Sequence, residues 1–218
     1  MPFKSVKFSF EARYATLGEL SSQTKSIWFV IHGYGQLAQY FIRKFTSLES
    51  AQTFFVAPEG LSKFYLEDVQ SRKQSGNNRV GSSWMTKENR QMDIANYITY
   101  LNAVYDDVTN PAPQVPITFL GFSQGAATVS RWATQSNRRF DRLILWAGVF
   151  PPDMDFAHGG DILKHKETHL VYGTQDPFLN DERFTEMRLI SNKLGINPTH
   201  TTFEGGHDID SDTLKKFI

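Results

Sequence analysis

Five short apolar runs punctuate the chain. They are SIWFVIHG (26–33), TFFVAPEG (53–60), ITFLGF (117–122), RLILWAG (142–148) and THLVYGT (168–174). Runs of this length without polar alternation suit strands covered on both faces, and so a parallel sheet. The stretches between them carry helical spacing. Leu37, Tyr40, Phe41, Phe45 and Leu48 recur that way over 36–48, and Met92, Ala95, Ile98, Leu101 and Tyr105 form a stripe over 88–106. Residues 180–194 repeat the pattern with Phe184, Met187, Leu189, Ile190 and Leu194. The opening VKFSFEARYATLGE alternates and reads as antiparallel strand. HTTFEGGH (200–207) is a last strand, and Asp210 or Ser211 caps a short final helix. Residues 61–85 have no clean period and read as a long functional loop, and NPAPQVP (110–116) as a rigid connector. Strands alternating with helices predict an α/β fold, one domain over 1–218, with a mostly parallel central sheet and helices on both faces. In such sheets the chemistry sits at the carboxyl ends of the strands.

Charge and composition narrow the partners. Lys plus Arg equals Asp plus Glu, 23 each, so a nucleic-acid partner is not expected. The chain has no cysteine, which removes disulfides, thiolate metal sites and a cysteine nucleophile. No metal-binding or phosphate-loop pattern occurs, so no metal or cofactor is expected. No run approaches the ~18 apolar residues of a membrane helix, and the N-terminal residues do not read as a signal peptide. A cytoplasmic location is the expectation.

Gly121-Phe122-Ser123-Gln124-Gly125 lies between a strand-like run and a helical one. It matches G-x-S-x-G, a sharp strand-to-helix turn that lifts a serine hydroxyl above the sheet. The amide of Gln124, at the start of that helix, points where an oxyanion would form. A serine needs a base. His207, after two glycines at the edge of the last strand, is the best placed; His158 and His165 lie in an irregular segment, and His169 and His200 at strand beginnings. The base needs an acceptor. Asp176, between a buried strand and Pro177, suits that role better than Asp181 or Asp208. The chain order Ser, Asp, His is that of the hydrolase triad. His32-Gly33-Tyr34-Gly35 matches an oxyanion loop in which the Tyr34 amide is the second donor and His32 is structural. Phe64, Tyr65, Trp84 and Met85 in the long loop are candidates for a substrate wall, with Phe150 to Pro152 opposite.

HGYG, the AP of VAPEG, Trp84, GFSQG, the YGTQD turn and GGH together resemble the phospholipase/carboxylesterase family of α/β hydrolases, over about Ile27 to Asp210. That family includes small bacterial carboxylesterases and acyl-protein thioesterases. The resemblance implies an α/β-hydrolase fold, a triad of Ser123, Asp176 and His207, and an oxyanion hole from the amides of Tyr34 and Gln124. It also sets Trp84 beside the site. Ala126, Gln36 and Phe178-Leu179-Asn180 depart from the family pattern, which leaves the substrate open. No large lid is evident between Gly148 and Thr168. The reading is a carboxylesterase acting on a small-molecule ester of small or medium acyl chain. The alternatives are a thioesterase or lysophospholipase using the same triad, and a binding protein that kept the fold without turnover.

Overall fold

The computed structural model describes residues 3–50, 52–112 and 114–218; Pro113 of the expected connector and the first two residues lie outside them. A seven-stranded sheet organises the chain. Its strands are β1 (Tyr14–Leu17), β3 (Thr53–Pro58), β2 (Ser26–Ile31), β6 (Ile117–Phe122), β7 (Arg142–Trp146), β8 (Glu167–Gly173) and β9 (Thr199–Phe203), in that spatial order. Only the β1–β3 pair is antiparallel.

The uninterrupted apolar runs have a direct cause. Successive strand residues point to opposite faces. Ile27, Phe29 and Ile31 of β2 therefore enter one core and Trp28 and Val30 the other. Likewise Leu143 and Leu145 of β7 face away from Ile144 and Trp146. One core is an aromatic stack in which Phe119 lies 3.9 Å from Trp132 and 5.0 Å from Phe140, centroid to centroid. It is covered by α3 (Arg90–Thr109) and α4 (Gln124–Gln135). The other gathers Trp28, Phe45, Phe55 and Trp146.

Parallel register aligns the strand ends. Ile31 pairs with Gly121, Gly121 with Leu145, Trp146 with Val171, and Gly173 with Phe203. Everything that follows β2, β6, β8 and β9 therefore emerges on one rim.

Several elements differ from expectation. The N-terminal strand is shorter: pairing starts at Tyr14↔Pro58, where β3 ends, so residues before Tyr14 have no strand to meet. The helical run over 36–48 divides into α1 (Ala38–Phe41) and a 3₁₀ segment, Ile42–Leu48. The buried face of α3 is Ile94, Tyr97, Leu101, Val104, Tyr105 and Val108, while Met92 and Ala95 are exposed. In α6 (Asp181–Leu194) Met187, Ile190 and Leu194 turn inward and Leu189 outward. The long loop contains a hairpin of β4 (Ser62–Tyr65) and β5 (Val80–Ser83) with α2 (Val69–Ser75) between. The helix between β7 and β8, α5 (Phe156–Leu163), packs on α4 and α6. It is not a lid. The last helix, α7 (Ser211–Leu214), is capped by the Asp210 carboxylate, which accepts from the Thr213 amide. Among the described residues no helix is long and apolar enough to cross a membrane.

Candidate active site

Ser123 occupies the single residue between β6 and α4, with φ +54° and ψ −117°. A side chain at positive φ is strained and persists only where its surroundings fix it. Here the Ser123 amide donates to Trp146 O at 2.9 Å, and the flanking glycines leave no alternative path. A Cβ on Gly121 would stand 2.2 Å from Gly125 O, and one on Gly125 2.1 Å from Ile31 O. The turn thus presses α4 against β2, and the serine hydroxyl is left above the rim.

His207 and Asp176 meet it there. Ser123 Oγ lies 2.9 Å from His207 Nε2, and His207 Nδ1 lies 2.7 Å from Asp176 Oδ2. A carboxylate only accepts, so Nδ1 carries the proton and Nε2 is free to accept from the serine. Asp176 is buried, and its other oxygen, Oδ1, accepts from the Phe178 amide at 2.9 Å. Two phenyl rings stand beside the imidazole, with centroids 4.9 Å away at Phe122 and 4.7 Å at Phe178. Asp208 bonds Lys44, and Asp181 opens α6; neither reaches His207 Nδ1. His169 bonds Glu167, while His158 and His165 stand in or beside α5.

The loop after β2 carries Tyr34, whose amide is the candidate second donor. Gly33 N–H is occupied, donating to Gln36 Oε1 at 2.8 Å. Among the described residues the amides of Tyr34 and Gln124 donate to no protein acceptor. His32 pins this loop. Its Nδ1–H donates to Gly33 O at 2.7 Å, and its Nε2 accepts from Gly60 N–H at 2.9 Å. Burial pushes its pKa down to about 4, against smaller upward pulls from the Gly33 carbonyl and the Glu59 charge.

The four residues Ser82 to Met85 tie the two amide carriers together. Ser82 Oγ–H donates to Gln36 O at 2.9 Å, and Ser82 O accepts from Gly35 N–H. Trp84 Nε1–H donates to His32 O at 2.9 Å. The Gln124 side chain accepts from the Trp84 amide at 3.2 Å and donates to Met85 O at 2.9 Å. Trp84, expected to face substrate, is only 2% exposed and packs inside this brace. Phe64 stacks on Tyr34 at 5.0 Å. Tyr65, the next residue on the strand, points to the opposite face and lies under the Arg72 guanidinium, so the two do not form one wall. Phe150 is core. Sequence reasoning noted Gln36 and Phe178 only as departures and did not single out Ser82 or Ser83. The signal available was SSWM itself, two hydroxyls and an indole that need partners once buried.

Two clefts border the rim. One, of about 930 Å³, is lined by Phe178 and the first turns of α6. The other, of about 520 Å³, lies against Gly35, Gln36 and Leu66.

Comparison with known proteins adds the lineage. The family model for Phospholipase/Carboxylesterase matches residues 18–218. No curated protein matches the chain. Among solved structures, esterase PE8 is 20% identical, with 95% of this chain and 98% of that one covered and a TM-score of 0.67. Acyl-protein thioesterase 2 of Zea mays is 13% identical, covering 95% and 96%, with a TM-score of 0.68. A carboxylesterase from Mesorhizobium loti is 16% identical, covering 91% and 89%, with a TM-score of 0.67. At such identities these likenesses are ones of fold. The family match runs through nearly the whole sheet and both ends of the hydrogen-bonded serine array, and the chain belongs to the phospholipase/carboxylesterase family of α/β hydrolases.

Proposed function

We propose that this chain is a serine esterase that cleaves carboxylic esters of small to medium acyl chain through an acyl-enzyme. The observation that carries the reading is the unbroken series Ser123 Oγ to His207 Nε2 to Asp176 Oδ2, at 2.9 and 2.7 Å, on a serine held at positive φ. Ser123 Oγ attacks the carbonyl carbon while His207 Nε2 takes its proton. Asp176 holds the imidazole and stabilises its charged form. The amides of Tyr34 and Gln124, already without protein acceptors, receive the oxyanion. The C–O bond to the alcohol then breaks, and the alkoxide leaves with the proton from His207. Water repeats the cycle to free the acid. Tyr34 and Phe64, side by side at 5.0 Å, are the apolar surface available to the acyl chain.

The test is hydrolysis of p-nitrophenyl esters from acetate to laurate by the wild type and by Ser123→Ala. Loss of the nucleophile is expected to cost at least about 10⁴-fold in kcat. Equal rates from both proteins on every ester would sink the proposal. A matching thioester series measures whether sulfur or oxygen leaving groups are preferred.

A further inference from the structure

We propose that the cleft beyond Phe178 is the leaving-group subsite of this enzyme, and that Phe178 sets selectivity there for alcohols or thiols with a large body. The inference rests on the esterase reading above. Its logic is directional. The leaving oxygen or sulfur takes its proton from His207 Nε2, so the departing group lies on the His207 side of the carbonyl carbon. Of the two phenyl rings beside the imidazole, Phe122 is buried and Phe178 is the one open to an incoming ligand. It is 65% exposed, a high value for a phenyl ring, and its centroid is 4.7 Å from that of His207 in an edge-on arrangement. The backbone that carries the ring is held in place, because the Phe178 amide donates to Asp176 Oδ1 and the Leu179 amide to Asp176 O. One carboxylate therefore positions both the base and the backbone of Phe178.

The same ring lines the cleft of about 930 Å³, with Pro177, Asn180, Thr185 and Leu189 around it. The cleft is a solvent-open groove and not an enclosed pocket. The space is far larger than ethanol needs. Pro177 and Phe178, next to the base, are apolar, and the lining becomes polar along α6. Asp181 and Glu182 sit in the first turn of α6, where the helix dipole accounts for them, and Arg183 bonds Glu186, so no charge on the ligand is invoked. The fitting leaving group has carbon atoms or a ring against Phe178.

Two butyrate esters separate binding from intrinsic reactivity. Ethanol and 3-phenylpropanol are leaving groups of nearly equal chemical quality, so the ratio of their kcat/KM values reads the subsite. The ratio is expected to favour 3-phenylpropyl butyrate by about tenfold or more in the wild type. It should fall to within about twofold of unity in Phe178→Ala and recover in Phe178→Tyr. A wild-type ratio near unity would overturn the inference. So would a ratio unchanged in Phe178→Ala with both rates reduced together, since Phe178 would then act only through His207. If neither ester gives hydrolysis that depends on Ser123, the esterase reading fails first and takes this inference with it. Serine-dependent hydrolysis without leaving-group preference defeats the subsite alone.

Discussion

Protonating His32 would put an N–H at Nε2 where Gly60 already donates one at 2.9 Å. Burial lowers its folded-state pKa to about 4 from an ordinary 6.5. Between those values the unfolded chain binds the proton and the folded chain does not. Stability therefore declines as pH falls from about 6.5 towards 4, by about 3 kcal/mol from this residue. Urea midpoints at pH 7 and pH 4.5 are the check. His32→Gln should be less stable at pH 7 but lose less on acidification, and an identical pH slope in both proteins would show that His32 carries none of it. At this scale the sequence marked the candidate reacting groups, which the structure brings within hydrogen-bond distance, better than it marked their supports. Ser123, Asp176 and His207 stand in recognisable turns, because glycine and proline mark such turns. The hydrogen bonds of Gln36 and of the Gln124 side chain join residues some forty or more positions apart, to Ser82 and Trp84, and no local pattern announces them.

At the scale of elements, α4 does more than present the serine. Its Arg131 is 3% exposed and donates to Asp153 Oδ1 at 2.6 Å, while Arg90 of α3 reaches Asp153 Oδ2 at 2.7 Å. Burial by itself would raise the Asp153 carboxyl, but the bond from Arg131 and the two guanidinium charges prevail and hold it low. Removing the carboxylate leaves a guanidinium buried without its partner. Asp153→Ala is expected to cost about 2–3 kcal/mol, less than a fully enclosed pair because Asp153 retains some solvent. Adding Arg131→Met should restore much of it, as read from paired denaturation curves; additive losses would argue that the pair is not coupled. The inner strands β2, β3, β6, β7 and β8 were legible because each is buried on both faces, whereas the edge strand β9 is mostly exposed. The β4–β5 hairpin was not legible, since Ser-Lys-Phe-Tyr and Val-Gly-Ser-Ser are four-residue strands with no apolar alternation. The α3 stripe was right at Leu101 and Tyr105 and wrong in its first turns: Ile94 and Tyr97 face inward, Tyr97 packing against Trp84 at 6.2 Å and beside Arg131, whereas Met92 remains in solvent.

For the whole molecule, the working parts come from two bodies of unequal strength. The triad and the Gln124 amide belong to the seven-stranded sheet and its helices, with both faces buried. The brace from Ser82 to Met85 begins in a separate two-stranded sheet whose intervening helix, α2, buries no residue. Segments with few buried contacts open locally at lower free energy than the core. Warming should undock the hairpin while the sheet still stands, releasing Trp84 from His32 and Gln124 together. Catalytic competence would then have its own melting point, below that of the fold. Residual esterase activity measured at temperature should fall several degrees before the far-ultraviolet dichroism, and coincident midpoints would mean that hairpin and sheet melt as one. On the esterase proposal, such a chain would switch itself off before it unfolds, and cooling would return it to work without refolding its core.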